Sequence, residues 1–437
     1  MNAVIFRLKT YFKMKETLAS QPVTLREQVS WCLYDFGNSA FTTVIVTVAY
    51  SVYFTEVVVG EGGTTLWGRG VAFSMLVVAL LSPFLGAWAD SSGRKKKFLF
   101  IATLLAVLFT SLLYTVKKGD LFKGLFFFIV ANVAYNAALT FYDAFLKELT
   151  THDRMGRLSG YGWATGYVGG FFSLLLVVPF LQSGLEADSF RYSFLVTGFF
   201  FLIFSLPFFL YVRERAIPQA PHADAYFKTG FSRMGETLRS IRRFRDLLRF
   251  FVAYLFYNDA INTIIVFSSI FARQVLQFTP SQLITYFIVT QVSAAAGSLF
   301  FGPLTDRLGP KRTITITLIG WLGVVYGAYS VETHLGFYGV GLFAGSILGA
   351  TQSASRTLLA RFAPIGKNAE FFGFFSLTGK ISASIGPLLY GEIVRITGSQ
   401  RWATLSLALF FIVGLLLLQS VDEQKGTLAA QAWGKEE

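Results

Sequence analysis

Two acidic residues lie inside long apolar stretches, and each is followed by an asparagine about one helical turn later. Asp35 precedes Asn38 in "YDFGNSAF", and Asp259 precedes Asn262 in "NDAIN". A charged side chain at the centre of a membrane helix costs roughly 2.5–3.5 kcal/mol on insertion scales, so it usually faces a cavity or a partner. A buried carboxylate can also take up and release a proton near neutral pH. We therefore predict that these four residues bind substrate or protons, with structural acid–asparagine hydrogen bonding as the alternative.

A further set of polar residues follows one face of the apolar segment 122–146. Asn132, Asn136 and Asp143 are spaced by four and seven residues, which places them in one stripe on a helix. Tyr135 and Tyr142 form an adjacent pair seven residues apart. We predict that Asn136, Tyr142 and Asp143 belong to the substrate or proton site.

An arginine stands in the segment 337–360, where a cation requires an anion. Arg356 follows Gln352 by four residues. Its candidate partners are Asp143, another acid on a helix, or the carboxylate of a substrate. A purely structural Asp143–Arg356 pair, a pair that breaks during transport, and substrate binding by Gln352 and Arg356 all remain open.

Lys380 lies in the apolar sequence "FFSLTGKISASIGP". Its ammonium group could neutralise a substrate carboxylate, pair with Asp35 or Asp259, or extend to the membrane interface. An acid, an amide, an arginine and a lysine in one cavity would suit a zwitterion such as an amino acid, and other small polar solutes as well.

The elements that position these residues follow from composition. Hydrophobic residues make up 54% of the 437 and charged residues 14%, against about 25% charged in soluble domains. Apolar stretches of about 20 residues, enough to cross a bilayer as helices, recur along the chain. We predict an all-α membrane protein with twelve transmembrane helices, at 28–54, 68–89, 98–116, 122–146, 159–181, 190–212, 248–272, 281–304, 313–331, 337–360, 370–394 and 401–420.

The sequence argues against an enzyme or a metalloprotein. The single cysteine, Cys32, excludes a disulfide framework and a cysteine-based metal site. His152, His222 and His334 are far apart, and no Walker loop, HExxH or GxSxG motif is present. We expect no cofactor and no bound metal.

The formal net charge of +13 reflects topology rather than nucleic-acid binding. With the N-terminus in the cytoplasm, most of the 38 Lys and Arg residues fall in cytoplasmic segments, which predicts that both termini are cytoplasmic. One external loop, with Lys117, Lys118 and Lys123, departs from this rule. Residues 1–27 are basic and lack the apolar core of a cleaved signal peptide, so we expect an amphipathic segment on the membrane surface.

The polar stretch that begins at residue 213 separates six predicted helices from six. The predicted organisation is a cytoplasmic N-terminal segment at 1–27, a six-helix bundle at 28–212, a basic cytoplasmic linker at 213–247 with a surface helix around 231–246, a second six-helix bundle at 248–420 and a cytoplasmic tail at 421–437.

The two halves repeat each other. "GAWADSSGRKKK" and "GPLTDRLGPKR" share the pattern Gly-x3-Asp-x2-Gly at an offset of 216 residues. Residues 143–161 align without a gap on 356–374, and the Asp-x2-Asn pair of the first helix recurs in the seventh. Such a parallel repeat is typical of transporters whose site lies between the halves near the membrane midplane.

The two loop motifs resemble the signature of the major facilitator superfamily. "WCLYDFGNSAF", "GRLSGYGWATGYVGG", "GPLTDRLGPKR" and "EFFGFFSLTGKISASIGPLLYG" are similar to the branch of autophagy-related vacuolar amino-acid effluxers and their bacterial relatives, apart from Gly37, where that branch usually has alanine. The resemblance implies that Asp90 engages the N-terminus of a helix in the opposite half, where backbone N–H groups favour an anion. It implies a gating set of Gly86, Asp90, Arg94, Gly302, Asp306 and Arg312.

Together these features predict a monomeric secondary transporter of the major facilitator fold, with two pseudo-symmetric six-helix bundles. We expect alternating access for a small polar solute, with proton coupling through Asp35, Asp143 or Asp259. The partners are then a small-molecule substrate and the lipid bilayer, and not nucleic acid. The resemblance implies efflux across a bacterial inner membrane, or a vacuolar membrane in a eukaryote. A transporter-like sensor or scaffold, or a lipid flippase, is the alternative.

Overall fold

A computed structural model describes residues 22–61, 63–182, 188–215, 244–364, 366–382 and 385–436. Most of the predicted N-terminal segment, most of the predicted linker and most of its predicted surface helix lie outside these ranges. The described residues contain helices and connecting turns, and no strand.

Fourteen α-helices longer than one turn organise the described chain. Their bounds are α1 Leu25–Ala40, α2 Gly63–Ser92, α3 Lys95–Leu112, α4 Leu121–Ala144, α5 Met155–Leu181, α6 Tyr192–Tyr211, α7 Arg245–Gln274, α8 Pro280–Leu308, α9 Pro310–Ser330, α10 His334–Phe362, α11 Asn368–Ser382, α12 Ile385–Thr397, α13 Gln400–Gln419 and α14 Glu423–Glu436.

Helix α1 begins with a capping box and extends well beyond its α-helical part. The Thr24 hydroxyl accepts from the backbone N–H of Glu27, and the Glu27 carboxylate accepts from the backbone N–H of Thr24. After Ala40 the helix continues through the π-helical Phe41–Val48, a turn at Tyr50–Tyr53 and the π-helical Phe54–Val59. This continuation makes the first spanning segment longer than the predicted 28–54.

In the described chain ten helices are long and apolar enough to cross a membrane. They include the predicted helices one to nine and twelve. Helix α10 has sufficient length, at 29 residues, but its second half carries Gln352, Arg356 and Arg361. Helices α11 and α12 lie where one eleventh helix is predicted, and residues 383–384 between them are outside the described ranges. The count of twelve therefore stays a prediction.

The chain divides into two compact units, each with its own core. The first unit comprises Met1–Thr150, Gly169–Arg239 and Pro364–Phe374. Aromatic rings fill its interior: the Tyr142 ring stacks on Trp31 at 4.6 Å and on Tyr34 at 4.9 Å between centroids. These three rings are fully buried, so they hold α1 against α4.

The second unit comprises Thr151–Val168, Ser240–Ala363 and Phe375–Glu437. Trp321 of α9 stacks on Phe411 of α13 at 5.5 Å, and Tyr254 of α7 stacks on Phe375 at 4.2 Å. Helices α8 and α10 pack closely because Gly349 of α10 lies against the side chain of Ser298, where a Cβ atom would not fit.

Two segments join the unit that their position in the sequence would not suggest. Thr151–Val168, with the first half of α5, packs in the second unit, and Pro364–Phe374, with the first turns of α11, packs in the first. Each segment follows the fourth predicted helix of its half of the sequence, which is α4 in the first half and α10 in the second. The predicted tail at 421–437 contains α14, whose Gly426 packs against the Phe362 ring.

Candidate functional site

The acid predicted in the first helix is buried beside its asparagine. Asn38 donates from Nδ2 to Oδ1 of Asp35 at 3.3 Å, and the Tyr135 hydroxyl donates to Oδ1 of Asn38 at 3.5 Å. Asp35 is 9% exposed and Asn38 is 2% exposed. The carboxylate therefore lies in a polar group inside an otherwise apolar unit.

Gly37 explains how this part of α1 approaches α6. A Cβ atom on Gly37 would lie 2.8 Å from Cβ of Phe204 and 3.2 Å from the carbonyl oxygen of Phe201. The two helices are so close that an alanine at this position would force one of them to shift, and glycine avoids this.

The polar stripe of α4 contacts α2 through Asn132. Asn132 donates from Nδ2 to the Ser74 hydroxyl at 2.7 Å, and Asn136 donates to the backbone carbonyl of Asn132 at 2.7 Å. The Tyr142 ring belongs to the aromatic core described above, while Asp143 is half-buried one residue before α4 ends. Ser74 carries no sequence signal of its own, because the hydroxyl is common in apolar helices.

In the second unit the acid of α7 binds the first turn of α12. Oδ2 of Asp259 accepts a hydrogen bond from the backbone N–H of Gly386 at 2.8 Å, and Asp259 is fully buried. Its Oδ1 accepts no hydrogen bond from the described residues. A Cβ atom on Gly386 would meet the Thr263 hydroxyl and lie 3.0 Å from Oδ1 of Asp259. No group of three metal-ligating side chains is present in the described ranges.

The asparagine that makes contacts beside Asp259 is Asn258. Asn258 donates from Nδ2 to the Ser382 hydroxyl at 2.6 Å and accepts from Nε2 of Gln352 at 3.4 Å. These bonds link α7, α10 and the last residue of α11. Asn262 is half-buried and hydrogen-bonds to no described side chain or backbone group through its amide. The predicted role of Asn262 beside Asp259 stays a prediction, and Asn258 and Ser382 were not among the predicted residues.

Lys380 lies two residues before Ser382, on the part of α11 that packs in the second unit. The side chain is partly buried. Within the described ranges its ammonium group has no ion pair and no hydrogen bond, so none of these residues neutralises the charge. Asp259, which lies in the same unit, is not within ion-pair distance. The predicted pair of Lys380 with Asp35 stays a prediction.

Arg356 holds the first part of α5 to α10 within the second unit. The guanidinium donates from Nε to the Ser159 hydroxyl at 3.0 Å and from Nη2 to the Ser159 carbonyl at 2.7 Å. It also lies 5.5 Å from the centroid of the Trp163 ring. The expected Asp143–Arg356 pair stays a prediction. No feature of the sequence indicated that Ser159 would receive these bonds.

Asp90 of α2 binds the N-terminus of α11 in the first unit. Its Oδ2 accepts from the backbone N–H of Glu370 at 2.9 Å. A Cβ atom on Gly86 would lie 2.8 Å from Cα of Glu370, so the helices touch backbone to backbone. The buried ammonium group of Lys95 lies 3.8 Å from Asp90 and pairs with Glu148.

Asp306 of α8 binds the N-terminus of α5 in the second unit. Its carboxylate accepts from the backbone N–H of Gly156 at 2.6 Å and of Arg157 at 3.0 Å. A Cβ atom on Gly302 would lie 3.1 Å from the carbonyl oxygen of Gly156 and 3.3 Å from Cα of Gly160. Both predicted loop motifs thus bring a carboxylate to backbone N–H groups that have no acceptor within their own helix. At such a helix N-terminus the helix dipole favours an anion.

The two arginines of the loop motifs are placed differently from this pair of acids. Arg94 and Arg312 are exposed, and neither forms an ion pair with a residue that the structure describes. The cation beside Asp90 is Lys95 instead. The sequence presented Lys95 only as part of a basic run at 94–97, where neighbouring residues cannot be told apart without knowing which one faces Glu148.

This architecture is that of known solute transporters. It is similar to the human organic anion transporter MFSD10, with a TM-score of 0.73 and 14% identity over 91% of this chain and 100% of that chain. It is also similar to the proton:xylose symporter XylE, with a TM-score of 0.67 and 13% identity over 94% and 98%. The fold is therefore the major facilitator fold.

The chain belongs to the vacuole effluxer Atg22-like family, whose sequence model matches residues 52–431. It is 31% identical to the uncharacterized MFS-type transporter YxiO of Bacillus subtilis, over 93% of this chain and 97% of YxiO. It is 27% identical to autophagy-related protein 22 of Kluyveromyces lactis, over 83% and 79%. The predicted superfamily and branch are confirmed.

Proposed function

We propose that this secondary transporter moves an amino acid or a similar small zwitterion by alternating access, with proton coupling. The observation that carries the proposal is the presence, within the second unit, of an acid and a lysine whose charges no described residue neutralises. Asp259 is fully buried with one oxygen unbonded in the described chain, and Lys380 is partly buried with no described anion. A zwitterion supplies the groups that would complement both charges.

Amide and hydroxyl groups give this site its orientation. Gln352, Asn258 and Ser382 form a hydrogen-bonded chain across three helices. In our proposal Lys380 binds the substrate carboxylate and this chain fixes the polar backbone of the substrate. Asp35, Asn38, Asn136 and Asp143 are the proposed counterparts in the first unit, and Arg356 stays a proposed binding or gating residue.

Proton coupling is proposed for the buried acids. A carboxylate in an apolar surrounding is costly when ionised, and it can be neutralised by a proton as well as by a substrate cation. Asp35 and Asp259 are the best placed because both are at most 9% exposed. Protonation of Asp259 would weaken its bond to Gly386 and so release the start of α12.

The repeated carboxylate–helix contacts are proposed to be the gate. Alternating access requires two states that differ by only a few kcal/mol, and a small number of charge-assisted hydrogen bonds has that magnitude. Asp90 with Gly86, and Asp306 with Gly302, would release α11 and α5 when the gate opens. Arg94 and Arg312 are proposed to contact the gate only in the other state.

Several further features complete the proposal. We propose twelve spanning helices, with the polar α10 and the α11–α12 segment lining the solute path. Both termini would be cytoplasmic and the protein a monomer. The family description as an effluxer supports export as the direction of transport.

The proposal is tested by reconstituting the full chain in liposomes loaded with unlabelled amino acids. We expect saturable entry of labelled leucine or tyrosine, and none into protein-free liposomes or in exchange for internal xylose. A sensor or scaffold would bind the amino acid without exchange. A flippase would instead move labelled phospholipid, and it would do so after loss of Lys380. Either result would contradict the proposal.

A further inference from the structure

A wide cleft opens at the end of the second unit where α8 meets α9 and α13 meets α14. Its volume is about 970 Å³. Charged groups dominate its walls, with five Lys or Arg residues and two acids: Arg249, Lys311, Arg312, Arg361, Lys425, Asp422 and Glu423.

The two acids of this cleft are already engaged. Glu423 pairs with Arg361 at 2.5 Å and accepts from the backbone N–H of Lys311 at 3.2 Å. Asp422 pairs with Lys425 at 3.2 Å, and the hydrogen bond from the Lys425 backbone N–H lowers the pKa of Asp422, so it remains charged at neutral pH. Neither acid is available to the other cations.

Arg249 pairs at 3.2 Å with Asp246, which does not line the cleft, so two of the five cations remain without an acid among the described residues. The ammonium group of Lys311 donates to the carbonyl oxygens of Gln419 at 2.9 Å and Val421 at 2.6 Å, which satisfies its hydrogen bonds but not its charge. Arg312 is exposed beside it, with no ion pair to the described chain. The cleft thus carries surplus positive charge at a fixed place.

The first unit has a related cleft with a smaller surplus of positive charge. Lys96 donates to the carbonyl of Val212 at 2.6 Å, as Lys311 does to Val421, and Glu214 accepts from the Lys96 backbone N–H as Glu423 does from Lys311. Its cations are Arg26, Lys96 and Arg213, against Glu27 and Glu214. A general preference for basic residues on one membrane face would act on both clefts, so it does not explain the difference.

The cleft also has the position and the apolar wall that a lipid requires. Lys311 stands at the start of the spanning helix α9 and Gln419 at the end of the spanning helix α13, which is the depth of phospholipid head groups. Leu428 of α14 lines the cleft and is 62% exposed, and Leu308 lies in the same wall. A free anion would gain nothing from these side chains.

We propose that this cleft binds the head group of an anionic phospholipid, with its phosphate at Lys311 and Arg312 and the start of an acyl chain at Leu428. This lipid site is separate from the solute site and does not depend on the identity of the cargo. The lipid would tie α14 to the loop between α8 and α9.

The test is a calorimetric titration of the detergent-solubilised full chain with short-chain phosphatidylglycerol. One Lys or Arg contact to an anionic head group is worth about a five-fold change in affinity, so Arg312→Gln should weaken binding about five-fold. The matched control is Arg307→Gln, on an exposed arginine just before the same loop and outside the cleft. It should change affinity less than two-fold.

Two further titrations separate the lipid from other anions. Phosphatidylcholine of the same chain length should bind more weakly than phosphatidylglycerol, and Leu428→Asn should weaken phosphatidylglycerol binding. The proposal is overturned if phosphatidylcholine binds equally well, if both arginine variants lose affinity equally, or if inorganic phosphate displaces the lipid at a comparable concentration. The last result would identify a site for a free anion.

Discussion

Asp90 and Asp306 make the same contact in the two units. Asp90 accepts from the backbone N–H of Glu370 at 2.9 Å, and Asp306 accepts from that of Arg157 at 3.0 Å. The acids are 216 residues apart and the two N–H groups 213 apart. The internal repeat therefore preserves a bond between an acid at the end of one helix and the first turn of another.

Removing the charge of Asp306 should weaken the contact between α8 and α5. An asparagine can accept only through one oxygen, and hydrogen bonds to a charged group contribute about 1.5–3 kcal/mol each. Thr305 is buried against Gly156. The substitution Thr305→Cys, in a Cys32→Ser background, therefore provides a reporter of this contact. We expect Asp306→Asn to raise its rate of labelling by a polar maleimide about ten-fold, in line with the loss of one such bond.

The control for this experiment is Arg307→Gln, which alters the neighbouring residue without touching α5. Asp90→Asn should act in the same direction on the contact of α2 with α11, with a cysteine at Ala369 as the reporter. Unchanged labelling in both acid variants would show that these bonds do not hold the helices together.

The glycine contact between α5 and α8 should be intolerant of one added methyl group. A Cβ atom on Gly160 would lie 2.9 Å from Cα of Gly302 and would also meet the Ser298 carbonyl oxygen, and both are backbone atoms. Such overpacking costs about 1–3 kcal/mol, so Gly160→Ala should lower the melting temperature in detergent. Gly339→Ala, on the exposed face of α10 with open space around it, should leave the melting temperature unchanged or raise it slightly.

Asn258 and Asn262 should differ in their contribution to stability. Asn258→Ala removes the donor to the Ser382 hydroxyl and the acceptor of the Gln352 amide, while Ser382 still donates to the Gly379 carbonyl. Each hydrogen bond lost costs about 0.5–1.5 kcal/mol. Asn262→Ala removes a half-buried side chain without a described hydrogen bond, and we expect a cost below about 0.5 kcal/mol. Thermal unfolding of the two variants makes the comparison, and equal costs would contradict the assigned network.

Lys380 should determine the preference for a carboxylate. A charge-assisted hydrogen bond contributes about 1.5–3 kcal/mol, so Lys380→Met should raise the KM for a transported amino acid by about ten-fold to a hundred-fold. The native chain should discriminate between the amino acid and its amide, and the variant should not. A variant that keeps this discrimination would remove Lys380 from the substrate site.

The loop motifs could be predicted from the sequence because the same spacing of residues occurs in both halves. Asp90 and Asp306 share a motif whose spacing can be read twice, and their helix-terminus contacts follow from that resemblance. Apolar segment length likewise predicts the positions of the helices, including α10 at the predicted 337–360, although the polar second half of α10 differs from an ordinary spanning helix.

The choice between nearby residues could not be made from the sequence. Lys95, and not Arg94, pairs beside Asp90, and Asn258, and not Asn262, bonds across the second unit. Arg94 lies just before α3 and Lys95 is its first residue, while Asn258 and Asn262 lie about one turn apart on α7, so each choice depends on which residues the packed helices bring alongside. Ser382 and Ser159 were missed for the same reason: their role comes from the side chains packed against them.

The most direct test of the account is leucine counterflow in proteoliposomes, measured with and without a pH gradient for the native chain, Asp35→Asn and Asp259→Asn. We expect the native chain to exchange leucine and to accumulate it further when a pH gradient is applied. At least one of the two variants should keep exchange and lose the response to the gradient. No leucine counterflow by the native chain, or a full gradient response in both variants, would contradict proton-coupled amino-acid transport through these buried acids.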